Sequence, residues 1–219
     1  MFKIAIFDLD GTLLNTLDDL ANACNYALNK FAFPTHEVER YKTFIGNGIY
    51  KLVERAVPDN KKDKETVEKV LKVFSDYYNE HMMDITKPYD GIISLLDELR
   101  ENNIKLGVVS NKKHEFTMEI VNKYFGDRFD IVFGHRENYK EKPDPTSVLE
   151  IIEKFNVSKN ECIYIGDSNV DIMTARNSGI ECIGVSWGFR GKEELANEGA
   201  NYLADNTTEL KNIIIKNTN

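Results

Sequence analysis

The sequence has little of what marks secreted, membrane-spanning or disulfide-bonded proteins. Only three of its 219 residues are cysteine, and Cys24, Cys162 and Cys182 each lie in an apolar pattern without the spacing of metal ligands. We interpret them as core residues of a reduced, cytoplasmic protein. The N-terminal apolar segment ends at Phe7, which is too short for a signal peptide, and no stretch approaches the length of a membrane span.

The chain also has fewer basic than acidic residues. The chain carries 28 Lys and Arg against 36 Asp and Glu, a net charge of −8 at pH 7. This balance argues against a nucleic-acid-binding surface and predicts a soluble acidic protein without a membrane partner. Neither an internal repeat nor a low-complexity segment is present, and the oligomeric state is not encoded in any recognisable pattern. A chain of this length accommodates one large domain, or a core with a smaller insert.

Short apolar runs separated by segments of helical periodicity recur along the chain. They are residues 3–7, 105–109, 130–133, 162–165 and 182–185. Runs of four or five apolar residues are typical of parallel strands that are buried on both faces. The sequence therefore predicts an α/β fold with a doubly wound parallel sheet. Polar residues follow these runs, and we expect them to gather at the edge of the sheet where its strands end.

A long interval separates the first apolar run from the second. Residues 15–87 contain no convincing strand, although a crossover between parallel strands needs only about a dozen residues. Helical spacing begins at Leu17, and further helices are predicted over residues 47–56 and 64–81. We therefore predict a core of residues 1–14 and 88–219, with an inserted helical domain of residues 15–87.

Asp8 and Asp10 follow the first apolar run and precede Gly11. Two neighbouring carboxylates raise each other's pKa unless a cation compensates, and a hard dication with oxygen ligands, such as Mg²⁺, would do so. Taken alone, an Asp-x-Asp-Gly segment is equally compatible with a turn in which these residues supply only backbone geometry.

Four motifs in a fixed order resemble the signature motifs of the haloacid dehalogenase superfamily. They are Asp8-x-Asp10-Gly11-Thr12, Ser110, Lys142-Pro143 and Gly166-Asp167-x-x-x-Asp171. The resemblance spans nearly the whole chain, and it is greatest to the phosphoglycolate phosphatase-like group. Members of that group also tend to carry a segment like residues 184–188, Gly-Val-Ser-Trp-Gly. The resemblance implies a Rossmann-like catalytic core, and it implies that the helical insert is a mobile cap.

The resemblance also implies the hydrolysis of phosphate monoesters through an aspartyl-phosphate. Asp8 would be the nucleophile, and Asp10 would protonate the leaving oxygen and then activate water. Mg²⁺ would be held by Asp8, Asp10 and Asp167, with Asp10 contributing its backbone carbonyl. Asp171, one helical turn beyond Asp167, would contact the metal directly or through another ligand.

The phosphoryl group needs further partners away from the metal. Ser110 offers a hydroxyl and a backbone N–H, Asn111 offers a side-chain amide, and Lys142 supplies positive charge. We expect Lys112 and Lys140 to be solvated lysines.

In the helical insert, Gly46, Asn47 and Gly48 permit a tight loop whose free N–H groups are suited to an anionic substrate. An ordinary turn between helices would have the same sequence. We expect the nearby Arg55 to lie on a solvated helix face.

The predicted function is a Mg²⁺-dependent phosphatase for a small phosphorylated metabolite, of which phosphoglycolate, a nucleoside 5′-monophosphate and pyrophosphate are examples. A phosphosugar mutase resembles the same motifs, and a binding protein without turnover could keep the same fold. The intact Asp8, Lys142 and Asp167 weigh against the binding protein. Asp10 weighs against a dehalogenase or phosphonatase, because those branches lack an aspartate at its position.

Overall fold

A computed structural model describes residues 2–216, and the chain divides into two compact units. One unit comprises Met1–Leu14 and Pro88–Asn219, and the other comprises Asn15–Lys87. The described strands are β1 (Ile4–Phe7), β2 (Leu14–Asn15), β3 (Lys87–Pro88), β4 (Lys105–Lys113), β5 (Ile131–His135), β6 (Cys162–Gly166), β7 (Glu181–Val185) and β8 (Tyr202–Ala204). The described α-helices are α1 (Leu17–Lys30), α2 (Gly48–Ala56), α3 (Lys64–His81), α4 (Ile92–Glu101), α5 (His114–Phe125), α6 (Thr146–Phe155), α7 (Asn169–Ser178), α8 (Lys192–Asn197) and α9 (Thr207–Lys216).

The larger unit is built on a parallel sheet of six strands in the order β5-β4-β1-β6-β7-β8. The chain runs outward from β1 through β4 to β5, then returns to the other side of β1 and runs outward through β6, β7 and β8. The strand order therefore reverses between β1 and β6. Open α/β sheets bind ligands beyond the carboxyl ends of their strands at such a reversal. The predicted α/β fold with a doubly wound parallel sheet is confirmed.

The central strands are apolar because helices cover the sheet. Ile4 and Ile6 of β1 belong to a buried cluster that includes Ile151 of α6 and Ile172 of α7. All residues of β1 and β6 are buried. The register pairs Phe7 of β1 with Val108 of β4 and with Ile165 of β6, so β1 and β6 end close together beside the middle of β4.

The sheet differs from the sequence-based prediction in two places. Strand β8 was not predicted, because its three residues are too few to show a strand pattern. Strand β4 is longer than the predicted run, since it continues beyond Val109 to Lys113 with a shift of register against β5. This extension matters for the site, because it carries Ser110 and the residues that follow it in an extended conformation.

The smaller unit is helical, as the sequence predicted. It contains α1, α2 and α3 with short 3₁₀ segments at Val38–Thr43 and Asp59–Lys61. Buried aromatic side chains, including Tyr41, Phe74 and Tyr78, fill its interior.

The prediction that the cysteines are core residues is confirmed, because all three are buried, and their thiols are free. Within residues 2–216, no helix combines the length and the apolar character needed to cross a membrane.

Candidate active site

Three buried carboxylates meet where β1 and β6 end. Asp8 directly follows β1, and its backbone N–H still donates to Ile165 of β6 at 2.9 Å. Asp167 directly follows β6, and Asp171 lies in the first turn of α7. Each of the three side chains offers an oxygen within 4.8 Å of the others. The reversal of strand order thus brings together acidic residues that are more than 150 positions apart in the sequence.

Both carboxylate oxygens of Asp171 have partners within the protein. Oδ2 accepts the backbone N–H of Ser168 at 3.0 Å and its hydroxyl at 2.7 Å, which closes a capping box at the start of α7. Oδ1 accepts from the Lys142 ammonium at 2.8 Å. A Cβ at Gly166 would overlap the Asp171 side chain, so the glycine leaves the space that this carboxylate occupies. The contact of Asp171 with a metal stays a prediction.

Lys142 lies among the carboxylates with its ammonium fully engaged. Its Nζ lies 2.7 Å from Asp8 Oδ1, 2.8 Å from Asp171 Oδ1 and 3.2 Å from the hydroxyl of Tyr164. A lysine ammonium has three N–H donors, and here each has an acceptor. Burial lowers the pKa of Lys142, but the charges of Asp171 and Asp8 raise it by more, and the pKa lies well above its usual value. The ammonium is therefore positively charged at neutral pH.

Asn111 supports the backbone of Lys142. Its Oδ1 accepts the N–H of Lys142 at 2.7 Å, and its Nδ2 donates to the carbonyl of the same residue at 3.1 Å. This amide therefore ties β4 to the loop that carries Lys142, and its predicted contact with phosphate stays a prediction. Ser110 is buried, and its Oγ accepts the N–H of Lys112 at 3.1 Å.

Asp10 is paired with a buried lysine. Lys112 Nζ lies 3.1 Å from Asp10 Oδ1 and 3.4 Å from Oδ2, and the Lys112 side chain is only 2 % exposed. The expectation that Lys112 is solvated is therefore wrong. Successive side chains of an extended strand alternate between faces, so Lys112, two residues after Ser110, points to the same side as Ser110. Lys140 is exposed, as expected.

The turn after β7 holds Asp167 in place. The N–H of Phe189 donates to Asp167 Oδ2 at 2.7 Å, and Thr12 Oγ1 donates to Asp167 Oδ1 at 3.3 Å. The indole N–H of Trp187 donates to the carbonyl of Thr12 at 3.1 Å. A Cβ at Gly188 would overlap the Asp167 side chain, so the turn approaches this carboxylate as closely as a glycine permits. The segment of residues 184–188 therefore supports the acidic cluster.

The charges of this cluster fit a divalent cation. Asp8, Asp167 and Asp171 are buried with the single ammonium of Lys142, which leaves two negative charges without compensation when all three carboxylates are ionised. Burial, and then Asp171, raise the pKa of Asp8 from 3.8 to about 7 against the opposing effect of Lys142. Burial and the neighbouring carboxylates raise the pKa of Asp167 well above its usual value. Oxygen donors that carry two uncompensated negative charges suit a hard dication such as Mg²⁺.

Gly46, Asn47 and Gly48 lie in the helical unit, at the start of α2. Arg55 of the same helix donates to the carbonyl of Phe44 at 2.8 Å and to Asn47 Oδ1 at 2.7 Å. Arg55 is half-buried on its helix, and its guanidinium supports this loop, which the expectation of a merely solvated residue did not include. A contact between residues 46–48 and a substrate stays a prediction.

Comparison with known proteins gives concordant results. A family model described as haloacid dehalogenase-like hydrolase matches residues 5–185. The chain is 30 % identical to a phosphoglycolate phosphatase from Psychrobacter arcticus, over 98 % of this chain and 96 % of that protein. It is 29 % identical to a phosphoglycolate phosphatase from Vibrio parahaemolyticus, over 97 % and 96 % of the two chains. The crystal structure of a candidate phosphoglycolate phosphatase from Lactobacillus delbrueckii subsp. bulgaricus superposes with a TM-score of 0.93 and 35 % identity, over 97 % of this chain and 98 % of that one.

Proposed function

Because the chain belongs to the haloacid dehalogenase-like hydrolase family, we propose that it is a Mg²⁺-dependent phosphatase acting on a small phosphorylated metabolite. One observation carries this proposal: a buried carboxylate at a strand tip, Asp8, contacts a lysine ammonium and lies within 4.8 Å of two further carboxylates. A phosphate monoester resists attack by an anion, so its hydrolysis needs a positioned nucleophile, charge neutralisation and a proton donor. In this proposal the residues of the site supply the nucleophile, the proton donor and part of the charge neutralisation.

Asp8 is the proposed nucleophile. A bond forms between a carboxylate oxygen of Asp8 and phosphorus while the bond from phosphorus to the ester oxygen breaks, which leaves an aspartyl-phosphate. Lys142 orients Asp8 through Oδ1 at 2.7 Å and supplies positive charge beside the incoming phosphoryl group. Mg²⁺, held by Asp8, Asp167 and Asp10, would neutralise the remaining charge of the phosphoryl group.

Asp10 is the proposed acid and base. In the first step its carboxyl gives a proton to the leaving oxygen, and in the second its carboxylate takes a proton from the water that attacks the aspartyl-phosphate. The water oxygen forms a bond to phosphorus, the acyl phosphate bond breaks, and Asp8 is regenerated as a carboxylate. Lys112 holds the Asp10 side chain through both of its oxygens, which fixes its position near Asp8.

Phosphoglycolate is the first substrate to test, since relatives of nearly the same length carry that activity in their names. The sharpest experiment incubates the purified protein and Mg²⁺ with a panel of phosphorylated metabolites and measures released phosphate. The panel includes phosphoglycolate, nucleoside 5′-monophosphates, pyrophosphate and sugar phosphates. A parallel assay for isomerised sugar phosphate separates a phosphatase from a mutase.

The Asp8→Asn variant is the control for this panel. It should lose turnover of every substrate because no aspartyl-phosphate can form, while contaminating phosphatases would leave the signal unchanged. Turnover by Asp8→Asn, or full turnover by the natural protein after exhaustive removal of metal, would contradict the proposed mechanism.

A further inference from the structure

Tyr164 is a polar residue in an otherwise apolar part of the sheet. It lies in the middle of β6 with no exposed surface, and its ring belongs to the buried cluster that also contains Ile4 and Ile6. A phenol buried in such a place needs hydrogen-bond partners, because leaving its hydroxyl unpaired costs free energy. The partners it has are all connected to the candidate active site.

The hydroxyl of Tyr164 links three separate segments of the site. It lies 3.2 Å from Lys142 Nζ, 3.1 Å from the carbonyl of Val109 and 3.4 Å from Asp171 Oδ1. Since an ammonium only donates, the phenol oxygen accepts from Lys142, and its own proton goes to Val109 or Asp171. Val109 directly precedes Ser110, so one hydroxyl contacts the strand of Ser110, the loop of Lys142 and helix α7.

We propose that Tyr164 is a positioning residue, whose hydroxyl fixes the direction of the Lys142 ammonium toward Asp8. A lysine side chain has a flexible four-carbon stem, and a compact ammonium at its end has no preferred direction of its own. Contacts with Asp8 and Asp171 alone would let the ammonium of Lys142 rotate about the line that joins the two carboxylate oxygens. The third acceptor, on a rigid aromatic ring inside the sheet, removes that freedom. The consequence for turnover rests on the proposed function, whereas the restriction of the ammonium does not.

The first test is the Tyr164→Phe variant, which keeps the ring and removes only the hydroxyl. Tyr41→Phe is the matched control, because Tyr41 is equally buried and its hydroxyl donates to Asn25 at 2.7 Å within the helical unit. We expect kcat/KM for p-nitrophenyl phosphate to fall about tenfold in Tyr164→Phe, less than the hundredfold or more that loss of a direct transition-state donor costs. Tyr41→Phe should stay within about twofold of the natural protein. Equal losses in the two variants would overturn the proposal.

A second test asks whether Tyr164 acts through Lys142. In the Lys142→Met background, the additional change Tyr164→Phe should leave the residual activity and the affinity for inorganic phosphate unchanged, because the group that Tyr164 positions is already absent. A purely structural role would give the same loss in both backgrounds, and that result would overturn the proposal.

A third test needs no turnover. With ¹⁵N-labelled lysine Nζ, the ammonium signal missing from Lys142→Met identifies Lys142. We expect Tyr164→Phe to shift this signal and to speed its hydrogen exchange, whereas Tyr41→Phe should do neither. If the natural protein hydrolyses no phosphate ester, the proposed function fails while this measurement still decides the role of Tyr164. An unchanged Lys142 signal in Tyr164→Phe would refute that role.

Discussion

Binding of Mg²⁺ should raise the thermal stability of the larger unit, because a dication would relieve the charge deficit of the buried carboxylates. Asp8, Asp167 and Asp171 share the single ammonium of Lys142, so metal-free protein must either keep two uncompensated charges or bind protons in their place. A ligand that binds only the folded state stabilises it in proportion to the logarithm of its concentration over Kd.

The size of the effect follows from this relation. At a free Mg²⁺ concentration of about 100 times Kd, the folded state gains about 2.7 kcal/mol. In a protein of roughly 200 residues, 1 kcal/mol moves Tm by about 2–4 °C. The midpoint of unfolding should therefore rise by about 5–10 °C between excess EDTA and saturating Mg²⁺. Differential scanning fluorimetry over a series of Mg²⁺ concentrations measures the shift and its concentration dependence.

Two variants make this prediction specific. Asp167→Asn removes one carboxylate of the cluster and keeps an oxygen for the N–H of Phe189, so it should fold and lose most of the response to Mg²⁺. Asp130→Asn is the matched control, because Asp130 precedes its strand and is paired with Lys105 at 2.8 Å, at the opposite end of the sheet. It should keep the full response. An Mg²⁺-dependent shift of equal size in Asp167→Asn and the natural protein would refute the assignment of the metal site.

Three further outcomes are expected. Asp10→Asn should release about one equivalent of nitrophenol per enzyme from p-nitrophenyl phosphate and then stop, because this leaving group departs without an acid whereas the second step needs a base. Rapid-quench kinetics should show the burst, and peptide mass spectrometry should find phosphate on Asp8. If folded enzyme shows neither the burst nor the phosphorylated peptide, the roles of the two aspartates are misassigned. In EDTA, the free energy of unfolding should contain a contribution that falls as pH rises from about 4 to 7, because burial raises the pKa of Asp8 from 3.8 to about 7 and the folded state then holds a proton that the unfolded state has released. Urea unfolding across that range, with and without Mg²⁺, measures the contribution, and identical pH profiles under the two conditions would contradict it. Lys112→Met should slow the first step, release of the leaving group, more for alkyl phosphates than for p-nitrophenyl phosphate, because only the alkyl leaving group needs the proton of a correctly placed Asp10. The second step needs Asp10 as a base with either substrate, so rapid-quench measurements of the first step are the test, and equal slowing of that step would count against the coupling.

The sequence predicted the parts of the site that depend on local pattern and sheet geometry. Asp8 and Asp167 each follow an apolar run, and parallel strands place their carboxyl ends at one edge. The motif order then added Ser110 and Lys142. These expectations needed no knowledge of side-chain contacts.

The remaining features depend on contacts between distant segments. A lysine at position 112 looks like any surface lysine, and only the continuation of β4 beyond Val109 turns it into the site. The available signal was the alternation of side chains along an extended strand, which places position 112 on the same side as Ser110. Asn111 could not be assigned to the backbone of Lys142, since 31 positions separate them. Tyr164 was hidden for a different reason: in a buried strand an aromatic residue is expected for packing alone, and its hydroxyl becomes informative only when its neighbours are known.

Asp171 both caps a helix and pairs with a lysine, and these two roles limit the substitutions that directed evolution of this site could accept. The carboxylate begins a helix and neutralises a lysine, and its side chain fills the space left open by Gly166. Asparagine would retain the cap and discard the charge, while glutamate would retain the charge with one methylene too many for the space. A library that varies position 171 alone will therefore consist mostly of misfolded or inactive clones. A Cβ at position 166 would overlap the Cβ of Asp171, so Gly166 has to be kept whenever position 171 carries a side chain. Diversity at this corner of the sheet therefore requires position 171 to be varied together with its partners Ser168 and Lys142.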